Sequence, residues 1–260
     1  SLASLACNSN QLTVLDVSSI NQLTSLDVSA NTALTSLNCE NNELTTLDVS
    51  ANTALTSLNC ENNELTSLDV STNAALTMLV CNENQLTTLN VSNNTSLVDL
   101  QCLNNQLTSL DVSANTALTS LNCNNNQLTS LDVSNNTSLA SLACNSNQLT
   151  VLDVSSITGL TDLRCYNNQL TYLNMKNGVT DALTSFDATD NSLTCIEVNE
   201  ENVGWATENW TYANGNIDEG ASFTVCCMVS EDCLAPQAAF NLSEMYLAAV
   251  PGSETQYNIS

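Results

Sequence analysis

LTSLNCENNELTTLDVSANTA, residues 34–54, is followed from Leu55 by a near-copy of itself, and this return every 21 residues decides the fold. Cys39, Cys60, Cys81, Cys102, Cys123, Cys144 and Cys165 mark the period without a slip. The unit divides into halves of ten and eleven residues, LTSLNCENNE and LTTLDVSANTA, both of the form L-x-x-L-x-(C/V)-x-x-N. Apolar residues at the fourth and sixth positions alternate with a polar one. That period of two predicts a short strand in each half, Leu and Cys or Val inward, Asn or Asp outward. No half can bury its own apolar edge, so coils must stack. Each leucine or valine covered by a neighbouring coil then contributes roughly 1.5–3 kcal/mol relative to exposure.

The asparagine that closes each half forms two further columns. One is Asn42, Asn63, Asn84, Asn105, Asn126, Asn147 and Asn168; the other is Asn31, Asn52, Asn73, Asn94, Asn115 and Asn136. An amide side chain at a bend can bond the backbone groups that the turn leaves unpaired, so both columns read as structural.

L-x-x-L-x-C-x-x-N-x-L followed by T-x-L-D-V-S-x-N resembles a leucine-rich repeat, in particular the nested bacterial subclass called IRREKO, in which both halves obey the core pattern. The resemblance spans residues 1–198. It implies an all-β solenoid of 21-residue coils with two parallel sheets, and a protein of the kind found in large secreted surface proteins, whose members mostly act by binding. Neither half has helical length or periodicity, so no long helices are expected.

The chain has 260 residues and a net charge of −25, with Arg164 and Lys176 as its two basic residues. Phosphate recognition needs clustered Lys and Arg, which makes nucleic acid and anionic membrane surfaces poor partners. No stretch is apolar for long enough to span a bilayer.

Along the chain, three regions are expected: a solenoid over 1–198, a C-terminal cap over 199–235, and a linker with the start of a further, immunoglobulin-like β domain over 236–260. Between Cys7 and Cys39 two Val-type halves follow one another, so an extra half-unit is inserted there. SLASLACNSNQLTVLDVSS at Ser1 recurs unchanged from Ser138, and both ends of the chain read as breaks inside a repeat or strand. Past Asn199, Trp205, Trp210, Tyr212 and Phe223 enter a segment without repeats. It resembles the cap that follows such repeats, with Trp205 and Trp210 as cap core. Cys7 and the ladder cysteines take the inward position and are expected to be reduced. Cys195 takes an outward one and, with Cys226, Cys227 and Cys233, makes an even set that points to two disulfides and an extracellular or cell-surface setting. Connectivity stays open, with Cys195 to Cys226 or Cys227 preferred.

The chain contains no histidine, which excludes imidazole bases, histidine triads and histidine metal sites. Inward thiols are unsuited to nucleophilic work, no cleft is expected, and an enzyme is not the reading. Two surfaces remain. Asp16, Asp27, Asp48, Asp69, Asp111, Asp132 and Asp153 form an outward column on the Val side, with Asn90 and Asn174 in register. Water and salt, serine hydroxyls or bound calcium would screen its charge. On the Cys side the outward residues depart from the repeat at Met78, Val80, Asp99, Gln101 and Leu103, and again at Asp162, Arg164 and Tyr166. An apolar cluster in an otherwise polar surface is a candidate contact. The reading is a non-enzymatic binding or adhesion scaffold engaging a protein or glycan. The alternatives are a fibre of copies of itself stacked end to end, and a calcium-binding acidic surface.

Overall fold

In the computed structural model, residues 2–7, 10–18 and 20–227 are described. The chain divides into two units, Ser1–Val225 and Cys226–Ser260. The first contains every element discussed below, so the cap helix and its strand share a unit with the coils. Of the second, Cys226 and Cys227 are described; Cys233 and the expected further β domain lie outside the described residues.

The coils form a parallel β-solenoid. One face is a nine-stranded parallel sheet made, in chain order, of Val14–Asp16, Ser36–Asn38, Ser57–Asn59, Met78–Val80, Asp99–Gln101, Ser120–Asn122, Ser141–Ala143, Asp162–Arg164 and Ser185–Asp187. Register is strict, with leucine on leucine: Leu37, Leu58, Leu79, Leu100, Leu121 and Leu142. These six are at most 1% exposed. Between coils the cysteine amide donates to the next strand, as in Cys39 N to the Asn59 carbonyl at 2.8 Å. The threonine at the second position adds its hydroxyl to the bond its amide makes, Thr56 Oγ1 and N both donating to the Thr35 carbonyl.

The opposite face pairs into sheets at its two ends. Ser4–Ala6 lies on Ser25–Asp27, and Val151–Asp153, Tyr172–Asn174, Cys195–Glu197 and Ser222–Thr224 form a four-stranded sheet. Between them, in the five halves from Leu44 to Val133, no strand forms. Each of these halves keeps a single backbone bond near its start, such as Glu64 N to Leu44 O at 2.9 Å. The looser face leaves Leu47, Leu68, Leu89, Leu110 and Leu131 at 7–8% exposure.

The asparagines supply what the backbone ladder does not. On the nine-stranded face, Asn105 Nδ2 donates to the carbonyls of Cys81, Cys102 and Leu103 at 3.0–3.2 Å, and its Oδ1 accepts the Leu86 amide at 3.0 Å. The same set repeats from Asn42 to Asn168, each residue closing its own bend and locking it to the preceding coil. The second column is less complete. Asn94 Nδ2 donates to Val70 O and Asn73 O, while Oδ1 of Asn52, Asn73, Asn94, Asn115 and Asn136 meets no donor among the described residues.

Which face a half occupies depends on its place in the alternation, not on its Cys or Val. The extra half before Leu34 therefore inverts the start of the chain. Val14–Asp16 pairs with Ser36–Asn38 in the nine-stranded sheet, and Cys7 lies on the other side, its amide on the Asp27 carbonyl. This corrects the placement of Asp16 in the Val-side column: it stands on the opposite face from Asp48. The repeated string likewise presents matching described residues on opposite faces, Leu5 against Leu142 and Leu15 against Leu152.

Cys7 and the seven ladder cysteines are free and buried. Burial pushes the thiols of Cys39 and Cys123 up to about 12, and those of Cys60, Cys81, Cys102 and Cys144 well above the ordinary thiol range. Cys195, Cys226 and Cys227 are disulfide-bonded. At the C-terminal end, Trp210 packs on Phe186 with ring centroids 4.3 Å apart and meets Trp205 edge-on. Asn216 closes the nine-stranded face, its carbonyl accepting the Ala188 amide and its Nδ2 donating to Phe186 O, both at 2.8 Å. Of the two tryptophans read as cap core, Trp210 is buried and Trp205 is half-buried against the same cluster.

After each ladder cysteine the chain turns through a left-handed residue: Asn41, Asn62, Glu83, Asn104, Asn125, Ser146 and Asn167, with φ between 49° and 56°. Asparagine tolerates this region better than glutamate does. Glu83→Asn is expected to stabilise the protein by roughly 1 kcal/mol in denaturant unfolding. Asn105→Ala, which strands three carbonyls and an amide, should cost roughly 3 kcal/mol, clearly more than Asn94→Ala in the half-satisfied column. The same denaturation series measures both.

Candidate functional site

On the nine-stranded face the outward positions form a grid, two columns on the strands and a third just past the cysteines. Met78 and Val80 lie directly beside Asp99 and Gln101 on the adjacent strand. Leu103 follows Gln101, its amide held by Asn82 Oδ1 at 3.0 Å. The structure therefore brings the first predicted group together. Met78, Val80 and Leu103 are half-buried rather than fully exposed. Gln101 Nε2 donates to Asp99 Oδ1 at 2.6 Å and to Ser120 Oγ at 3.2 Å, which fixes the polar edge of the patch.

The second predicted group is contiguous on one strand and its exit, with Asp162, Arg164 and Tyr166 in line. Arg164 pairs with Asp162 at 3.1 Å while its side chain stays 51% exposed. Two strands, Ser120–Asn122 and Ser141–Ala143, separate it from the first group, three spacings or roughly 14 Å. Ala143 and Asn145 are 8% and 3% exposed, and the Oδ1 atoms of Asn124 and Asn145 have no partner among the described residues. Val98, just before Asp99, is 40% exposed. It replaces the threonine of LTSL, and that departure is legible in the sequence.

The aspartate column runs along the opposite face through Asp27, Asp48, Asp69, Asp111, Asp132 and Asp153. Each carboxylate accepts the amide of the serine two residues on, at 2.8–3.0 Å. Hydrogen bonds from the serine hydroxyl and amide hold Asp48, Asp69 and Asp111 below the usual carboxylate range, and the Ser134 amide and hydroxyl do so for Asp132. Asn90 plays the same part with a neutral oxygen, accepting the Ser92 amide at 3.0 Å, and Asn174 accepts Lys176 N at 3.1 Å. What the position requires is an acceptor that closes a turn. Among the described residues no group of three or more acidic or thiol side chains is arranged to hold a metal ion. Val151, 50% exposed on this face, borders a cavity of about 440 Å³ with Ser130, Asp132 and Asp153.

Comparison with solved structures places the architecture. The chain is similar to the functional domain of InlJ from Listeria monocytogenes, which includes a cysteine ladder: 40% identity over 72% of this chain and 49% of that one, with a TM-score of 0.62. The fold is a leucine-rich-repeat solenoid. YopM, a leucine-rich effector protein from Yersinia pestis, matches at 26% identity over 73% of this chain and 54% of its own, TM-score 0.61. The leucine-rich-repeat protein LIC12759 of Leptospira interrogans shares the fold at 23% identity, covering 87% of this chain and 62% of its own, TM-score 0.60. The chain thus spans about half to three-fifths of these proteins. No family model matches it, and no curated protein matches significantly. Among the described residues no helix is long and apolar enough to cross a membrane.

The turn-closing role sets a pH dependence. Aspartates whose folded values are depressed stabilise the protein above their unfolded value near 3.8, and that contribution is lost as pH falls below it. Asp69→Asn should keep the melting temperature at neutral pH and remove part of this acid sensitivity, whereas Asp69→Ala should lower the melting temperature at both. Thermal scans at pH 3 and 7, with and without a chelator, measure this; a chelator-induced drop at pH 7 would contradict it.

Proposed function

We propose that the chain is a non-enzymatic, extracellular protein-binding scaffold that engages its partner through the nine-stranded face. The observation that carries the reading is where the repeat is broken. Inward positions, bend asparagines and turn acceptors repeat almost without change, while Met78, Val80, Asp99, Gln101 and Leu103 gather on two adjacent strands of one face. Asp162, Arg164 and Tyr166 form a second cluster on the same face. Apolar side chains with a polar edge, set on a fully bonded sheet, offer a rigid contact surface. The solenoid neighbours support a binding scaffold, and the disulfide at Cys195 supports an oxidising setting. Two halves of equal pattern also support the nested 21-residue subclass.

Restoring the consensus tests the reading without threatening the fold, because Ser57 and Asn59 already occupy the first two positions one strand earlier and Glu61 occupies the third two coils earlier. The triple variant Met78→Ser, Val80→Asn, Leu103→Glu is expected to keep the melting temperature within a few degrees. It should lose a protein that the unaltered chain retains from the native cell surface. Asp69→Asn on the other face should retain it. Equal retention by the triple variant and by Arg164→Ala would overturn the assignment.

A further inference from the structure

We propose that the cap carries a second binding site, an aromatic pocket that accepts the protonated lysine side chain of a polypeptide partner. A cavity of about 390 Å³ opens between the end of the helix Val203–Asn209 and the strand Ser222–Thr224. Its walls include Trp210, Tyr212, Ile217, Glu219 and Phe223. The back wall is rigid, because Trp210 is wedged against Phe186, Trp205 and Phe223 with centroids 4.3, 5.2 and 5.8 Å away. Tyr212 is the opposite case. It is 62% exposed, and among the described residues its ring stacks on no other.

The two carboxylates of the rim have different duties. Both oxygens of Asp218 are taken by the amides of Asp190 and Asn191 at 2.8 Å, which ties the rim to the last coil. Glu219, next in the chain and exposed, makes no hydrogen bond or ion pair among the described residues. The turn is held by Ala221 N donating to Asp218 O, and Gly220 takes φ +89°, a conformation that favours glycine. An unpaired carboxylate beside an open tyrosine face is the arrangement that attracts a cation.

The protein does not supply that cation itself. Its two basic residues are both engaged, Arg164 with Asp162 and Lys176 with Glu197 at 3.2 Å. A net charge of −25 draws cationic partners from a distance. Lysine fits the pocket's two characters: its four-carbon stem can lie on Ile217 and Phe223 while the ammonium reaches Tyr212 and Glu219. A neutral sugar would use hydroxyl partners and no charge, and Ser222 Oγ is already committed to Thr194 O at 3.3 Å.

The test titrates the full chain with an end-blocked Gly-Gly-Lys-Gly-Gly peptide by calorimetry, following tryptophan fluorescence in parallel. Saturable binding that weakens with salt, and that vanishes when the lysine is acetylated, is expected. Tyr212→Ala should weaken binding roughly threefold and Tyr212→Phe should leave it unchanged, which separates loss of the ring from loss of fold. Glu219→Gln should flatten the salt dependence. Equal binding of the acetylated peptide or of methyl glucoside, no saturation at millimolar peptide, or binding indifferent to Tyr212→Ala and Glu219→Gln would each overturn the proposal. The pocket is separate from the nine-stranded face, so failure here leaves that reading standing.

Discussion

Every coil depends on the bend asparagine. A narrow solenoid must turn its backbone inside its own core, and each turn buries carbonyls and amides that no ladder strand can reach; left unpaired, each would cost about 1–3 kcal/mol. Asn42, Asn63, Asn84, Asn105, Asn126, Asn147 and Asn168 resolve this with one amide apiece, which serves carbonyls of two coils and the leucine amide that opens the next half of the preceding coil. Leucine burial drives the stacking and the asparagine sets its register. Cysteine suits the inward corner because it is small and apolar, and burial keeps its thiol protonated.

Because inner residues fix the register, outer ones are free to differ, and the two faces differ in how rigidly they hold what they display. The nine-stranded face is bonded coil to coil along its whole length. The opposite face is bonded at its ends and held in between largely by the second asparagine column. A contact surface built on the first face has its geometry set in advance, and that is the face where the chain departs from its repeat.

Much of this was legible in the sequence. The 21-residue return gave the solenoid, the period of two gave the inward set, and parallel inward cysteines pointed to free thiols. Other features were hidden for physical reasons. Asp48 and its kin read as a charged column, and spacing alone does not show that one oxygen of each is turned back on a serine amide; Asn90 in the same register was the available hint. Asp16 carries the same motif as Asp48, yet it faces the other way, because side is a matter of counting halves. The left-handed turn was concealed at Glu83 and Ser146, where asparagine is replaced. The cap pocket at Tyr212 is lined by residues between Thr207 and Phe223, a stretch with no repeat from which its shape could be read.

The most direct measurement is residue-resolved amide hydrogen exchange through the central coils. The amides of Leu44, Leu65, Leu86, Leu107 and Leu128, which donate to asparagine Oδ1 atoms of the following coil, are predicted to exchange only on global unfolding, whereas those of Asp48, Asp69 and Asp111 on the loosely bonded face exchange far sooner. Fast exchange at the leucine amides, or equal protection of both sets, would contradict the account.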